Sequence, residues 1–204
     1  MDDQAKTLQR LADFVFECGM LKDTPRTGWP FLGSGRESVA EHSFRCAVIG
    51  YLLARKAKAK VHEVVSLCLF HDLHEARTGD FNYVYHRYNA SDARRAVEDA
   101  TQGTGLEDDL LALFTTFSQG DSLEAKLAQD ADQLDLIANL VVWRERGNGF
   151  AVAWLESAMK RLVTEEGKAL GEALVARDPN AWWYKQVPKS WWIHHSDLGG
   201  DEGA

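Results

Sequence analysis

Leu67-Cys68-Leu69-Phe70-His71-Asp72-Leu73-His74-Glu75-Ala76, followed by Thr78-Gly79-Asp80, is an apolar run that ends in two histidines and two carboxylates. The apolar half belongs in a core. Burying ionisable groups without partners is costly, so the polar half must be satisfied by something. On a helix at about 100° per residue, Glu75 projects between His71 and Asp72, and the three share one face. Imidazole nitrogen and carboxylate oxygen together suit a divalent transition ion. The stretch reads as half of a metal site on a helix from about Val61 to Arg77.

Helical periodicity continues outward on both sides. Upstream, Ser38 and Glu41 form a capping-box pattern that opens a helix through Val39, His42, Cys46, Ile49, Leu52 and Leu53 to about Lys56. Before it, Leu8, Leu11, Ala12, Phe14, Val15 and Phe16 mark an amphipathic helix ending near Gly19, and Asp23 to Pro30 reads as a loop. Downstream, Gly79 to Ala90 is aromatic and irregular. Helices follow at Ser91–Thr101, Leu106–Phe117, Ser122–Arg146 and Ala151–Ala176. In the longest, Leu127, Ala131, Leu134, Ile137, Ala138, Val141 and Val142 form one apolar face. No useful strand alternation and no internal repeat is found. The fold expected is all-α, a single-domain helical bundle over residues 1–178, with an aromatic tail over 179–204. That tail carries Trp182, Trp183, Trp191 and Trp192 and should pack on the domain or in a dimer; His194-His195 reads as a solvated pair.

At 204 residues and 45% hydrophobic content the chain can bury a sizeable core. A net charge of −8 argues against a nucleic-acid polymer or an anionic membrane as partner. Cys18, Cys46 and Cys68 are too few and too scattered for a disulfide framework, and no apolar run approaches the roughly 20 residues that span a bilayer. These features predict a soluble, cytoplasmic protein with free core thiols.

A metal on His71 and Asp72 needs further ligands. His42 precedes Cys46 by four residues and Ile49 by seven, so it faces the core. Asp130-Ala131-Asp132-Gln133-Leu134-Asp135 places three carboxylates in an otherwise apolar-faced helix. A histidine, a His-Asp pair and a distant aspartate would give one ion two nitrogens and two oxygens, with positions left open for water and substrate.

This order, His42, then His71-Asp72, then Asp132, resembles the H…HD…D pattern of the HD-domain metal-dependent phosphohydrolases. The blocks Arg26-Thr27-Gly28-Trp29, Glu37 to Ser43, His71 to Asp80 and Lys126 to Asp132 resemble the 5′-deoxynucleotidase subgroup, over about Leu8 to Arg146. The resemblance implies an HD-type helical bundle, commonly a homodimer, that hydrolyses phosphate esters with one divalent ion. His42, His71, Asp72 and Asp132 would then be its metal ligands. Glu75 would act on the attacking water or the leaving group, and Asp80 would contact substrate and take part in catalysis. Arg26 and Trp29 would lie near the phosphate and the sugar. Two departures stand out. Thr27 and Gly28 separate Arg26 from Trp29, and Phe81 to Tyr88 lacks a proline expected soon after Gly79-Asp80.

The residue types suit this chemistry. A divalent ion neutralises phosphate charge and lowers the pKa of bound water from about 15.7 towards about 7. A nearby carboxylate such as Glu75 exchanges protons with it, and the Arg26 fork grips phosphate oxygens in pairs. Manganese, iron, cobalt, nickel, zinc and magnesium all fit such a donor set. The function expected is removal of the 5′-phosphate from (deoxy)nucleoside 5′-monophosphates. The alternatives are hydrolysis of another phosphate ester or signalling nucleotide, or a catalytically inactive nucleotide-sensing module. Asp130 and Asp135 are expected as solvated or supporting groups, and His86-Arg87 as either phosphate-binding or surface residues.

Overall fold

The computed structural model describes residues 3–184. Trp191, Trp192, His194 and His195, and with them most of the expected tail, lie outside the described residues. Among the described residues eleven α-helices follow one another: α1 (Asp3–Gly19), α2 (Trp29–Leu32), α3 (Val39–Ala57), α4 (Val61–Phe70), α5 (Glu75–Thr78), α6 (Tyr83–Tyr88), α7 (Ala93–Thr101), α8 (Glu107–Gln119), α9 (Leu123–Glu145), α10 (Phe150–Met159) and α11 (Glu165–Ala176). A 3-10 turn (Met20–Lys22) lies between α1 and α2. Among the described residues there is no strand, only an isolated bridge between Pro25 and Ser38. The all-α, single-domain expectation holds.

Helix α9 is the central post. Leu127, Leu134, Ile137 and Leu140 on it are fully buried against Leu53 of α3 and Leu67 of α4. Helices α3 and α4 approach closely because of Gly50: a Cβ there would stand 2.6 Å from Sγ of Cys68. A second apolar cluster joins Phe14, Leu21, Val39, Leu73, Val97 and Leu110. The two clusters meet along α3 and the end of α4. Val39 and Leu73 belong to one, Cys46 and Cys68 to the other. His42 and His71 sit at that seam.

The expected capping box is present: Ser38 accepts from the Glu41 amide at 3.2 Å, and Glu41 accepts from the Ser38 amide at 2.7 Å. Three expectations need correction. The helix expected from Val61 to Arg77 stops at Phe70. In a continuing helix the Cys68 carbonyl would accept from the Asp72 amide. It accepts instead from Nδ1 of His71 at 2.8 Å, and residues 71–74 form a turn before α5. The helix expected over Ala151 to Ala176 is two helices. Asp130 accepts from the Val163 amide at 2.9 Å and the Thr164 amide at 2.8 Å, and Thr164 caps α11. A Cβ at Gly167 would collide with that Asp130 carboxylate. Third, the segment expected to be irregular holds α6, capped by Asn82, whose Oδ1 accepts from the Val84 and Tyr85 amides at 3.0 Å each.

Candidate metal centre and substrate cavity

His42 projects inward from the first turn of α3, fixed in phase by the Ser38 cap. Its Nε2 lies 3.3 Å from Nε2 of His71, 3.2 Å from Oδ1 of Asp132 on α9 and 3.7 Å from Oδ2 of Asp72. Oδ2 of Asp72 is 3.1 Å from Nε2 of His71. Donor atoms of His42, His71 and Asp72 all lie within 4.8 Å of one another. Asp132 joins them through His42, and its other oxygen accepts from Gln133 at 2.8 Å. The four residues read as ligands thus converge from α3, the turn after α4, and α9.

Both imidazoles turn Nδ1 away from this centre. Nδ1 of His71 faces the Cys68 carbonyl at 2.8 Å, and Nδ1 of His42 faces Oδ2 of Asp135 at 2.8 Å. A carbonyl or carboxylate oxygen accepts, so each Nδ1 is committed to its acceptor and the Nε2 of each ring faces the centre. Two ring nitrogens 3.3 Å apart, flanked by carboxylates, are balanced by a positive charge at the centre, either a proton on Nε2 or a metal ion held between them. Two nitrogens about 2.1 Å from one ion, at angles between a right angle and tetrahedral, stand about 3.0–3.4 Å apart. The donor set fits one divalent ion.

The field of this cluster sets proton affinities. Burial and Arg26 both push His42 down, yet hydrogen bonds to Asp132 and Asp135 prevail and lift it to about 10. Burial raises Asp72, but His71, Arg26 and His42 together hold it well below the carboxylate range. Burial raises Asp132 too, but its bond to His42 and the charges of His42, His71 and Arg26 together lower it. Glu75 moves the other way. Burial first, then Asp72 and Asp80, push it up to about 9. It is buried, and its Oε2 has no hydrogen-bond partner among the described residues. Arg77 pairs with Glu17 and Asp99.

Arg26 spans two of the carboxylates, 3.0 Å from Asp72 and 3.5 Å from Asp80. Asp80 in turn accepts from the Thr27 amide at 2.6 Å and the Thr27 hydroxyl at 2.8 Å. Thr27, one of the two residues that depart from the family spacing, therefore docks the Arg26 loop onto Asp80. The sequence reading missed this role. Behind His42, Asp135 takes the supporting role that was one of the two expected for it. There Asp135, fully buried, binds Arg45, and Arg45 reaches Glu37 at 3.0 Å, which accepts from Asn139 at 2.8 Å. The solvated reading of Asp130 and Asp135 is wrong, since both are about fully buried. Asp135 backs a ligand, and Asp130 holds the turn between α10 and α11. The spacing of Asp135, three residues beyond Asp132 on the same helix face, was the available signal.

A cavity of about 530 Å³ opens from this centre. Arg26, Trp29, Asp80 and Asp132 line it, as do Gln133, Trp154 and Arg161, which the sequence reading did not single out. Trp29 is only 5% exposed, and its Nε1 lacks a partner among the described residues. His86 reaches the rim of the cavity.

The sequence profile described as HD domain matches residues 18–173. The 5′-deoxynucleotidase HDDC2 of Danio rerio is 30% identical over 136 residues, covering 64% of this chain and 68% of that protein. The protein of the same name from Homo sapiens is 32% identical over 133 residues, covering 62% of this chain and 65% of that one. The chain thus spans about two thirds of the length of these curated relatives. Among solved structures, a conserved hypothetical protein from Pyrococcus furiosus superposes with a TM-score of 0.65 at 28% identity, covering 80% of this chain and 98% of the other.

Proposed function

Because this chain belongs to the HD domain family, in its 5′-deoxynucleotidase-like subgroup, we propose that it hydrolyses the 5′-phosphate of deoxynucleoside 5′-monophosphates. The observation that carries this reading is the pair of Nε2 atoms 3.3 Å apart, each with its Nδ1 already committed, opening onto a cavity of about 530 Å³. That volume falls in the range of about 300–1,000 Å³ typical of small-molecule sites.

His42, His71, Asp72 and Asp132 would hold the divalent ion. A bound ion neutralises phosphate charge and lowers the pKa of water at the site. The remaining work falls to the protein. Arg26, already poised between Asp72 and Asp80, offers further N–H groups to phosphate oxygens. Asp80 fixes the Arg26 loop through Thr27 and meets the substrate at the cavity wall. Water attacks phosphorus and loses a proton. The P–O5′ bond breaks, and the departing oxygen gains a proton. Glu75, whose carboxyl is pushed up to about 9, is suited to hold and pass that proton. Trp29 packs against the sugar.

The outward stripe of α3, Phe44, Val48, Tyr51 and Leu52, is 46–70% exposed. It supports the reading that two copies pair through α3, which sedimentation of the purified protein tests. Three free thiols support a reducing, cytoplasmic setting.

The decisive assay measures phosphate release from deoxy- and ribonucleoside 5′-monophosphates with Mn²⁺, Co²⁺ or Mg²⁺. Release from the deoxy series is the expected result. Equal release from both series removes the sugar preference. No release from any substrate in any metal removes the hydrolase.

A further inference from the structure

The cavity is much larger than a phosphate group needs, and its charges are segregated. Its inner end holds the carboxylates Asp80 and Asp132 together with Arg26, and Arg26 is committed to Asp72 and Asp80. Its outer rim carries a second arginine, Arg161, on the turn that follows α10. That turn is not loose, because Asp130 grips the neighbouring Val163 and Thr164 amides.

Among the described residues Arg161 has no carboxylate partner. One guanidinium N–H donates to the Tyr83 hydroxyl, and the guanidinium carbon lies 5.8 Å from the centre of the Tyr83 ring. A guanidinium has five N–H donors and no acceptor, so most of its donors remain available. Partial burial depresses its pKa with no anion to offset the effect. Trp154 also lines the cavity and offers a flat wall for a planar ring.

With the phosphate held at the inner end, the group that faces the outer rim is the nucleobase. Bases differ there in sign. Guanine shows the acceptor O6 and thymine the acceptor O4, whereas adenine and cytosine show amino donors at the equivalent positions. An arginine meets the first pair with hydrogen bonds and the second with donor against donor.

We propose that Arg161 is a specificity-determining residue that donates to the carbonyl oxygen of the base, favouring guanine and thymine deoxynucleotides over adenine and cytosine ones. This inference rests on the nucleotide reading of the site. A hydrogen bond to a charged donor corresponds to a preference of about tenfold or more in kcat/KM.

The test compares kcat/KM for dGMP, dTMP, dAMP and dCMP in the wild type, Arg161→Met and Tyr83→Phe. In the wild type the two carbonyl-bearing bases lead by about tenfold. In Arg161→Met that ratio collapses towards one, whatever the absolute rates. In Tyr83→Phe, which keeps the ring and frees the guanidinium, the ratio survives. If Arg161 merely pins Tyr83, all four substrates fall together in Arg161→Met and the ratio persists, which overturns the proposal. Wild-type hydrolysis of all four at similar efficiency also overturns it while leaving the nucleotidase reading intact. Hydrolysis of none removes both.

Discussion

At the inner end of the cavity each imidazole is held from both sides, His42 between Asp132 and Asp135 and His71 between Asp72 and the Cys68 carbonyl. At the outer end, α6 buries none of its residues, and Tyr83, Tyr85 and Tyr88 stand 46–77% exposed. The inner groups sit where two apolar clusters meet, so moving any one of them disturbs packed helices. The outer groups sit on short, capped pieces fastened by a few contacts, Asn82 to Thr27 and Arg161 to Tyr83. A division of labour follows. On the proposed function, the inner end fixes the chemistry and tolerates little change, whereas the outer end can alter substrate choice without disturbing the proposed ligands.

The sharpest way to break that division is Asp72→Ala. This variant should retain no divalent ion after gel filtration and release no phosphate, with elemental analysis and a phosphate assay as the two readouts. Glu75→Gln should separate holding from turnover: metal content stays at the wild-type level while phosphate release falls about 10²–10⁴-fold. Normal turnover in that variant would remove Glu75 from the proton path. One layer further out, Asp135→Asn should weaken metal affinity about 10–100-fold in a direct titration, because the His42 ring loses its charged anchor. An unchanged affinity would mean that α3 alone orients the ring.

The smallest effect expected is at the α3 cap. Ser38→Ala should cost about 1 kcal/mol in urea unfolding at neutral pH. Glu41 adds a pH signature. Hydrogen bonds from the Ser38 backbone and side chain hold its carboxyl below its ordinary value of 4.5. Its contribution is therefore complete above pH 4.5 and disappears as pH falls through the lower folded-state value. Glu41→Gln should flatten the stability curve over that acid window only.

The same contrast explains what was legible in the sequence. Ser38, Glu41 and His42 are tied by local spacing, and the cap, the helix and the inward histidine all appear as expected. His71-Asp72 was also readable, although the helix around it was not. Its end depends on the His71 ring capturing a carbonyl, which periodicity does not encode. The break between α10 and α11 depends on Asp130, more than thirty residues away in sequence. Likewise Arg161 and Trp154 look like ordinary positions of an amphipathic helix until tertiary packing brings them to the rim of the cavity. The cap and the inward histidine, fixed by neighbours in the chain, were visible, whereas Arg161, Trp154 and the turn held by Asp130, fixed by distant contacts, were not.

The account depends on one cation shared by His42, His71, Asp72 and Asp132. Its most direct test is to strip the protein with a chelator, add Mn²⁺ stepwise, and follow phosphate release from a deoxynucleoside 5′-monophosphate. Activity should be absent at the start, rise in proportion to added ion, and level off at one equivalent per chain. Full activity in the stripped protein, or none at any loading, would contradict it.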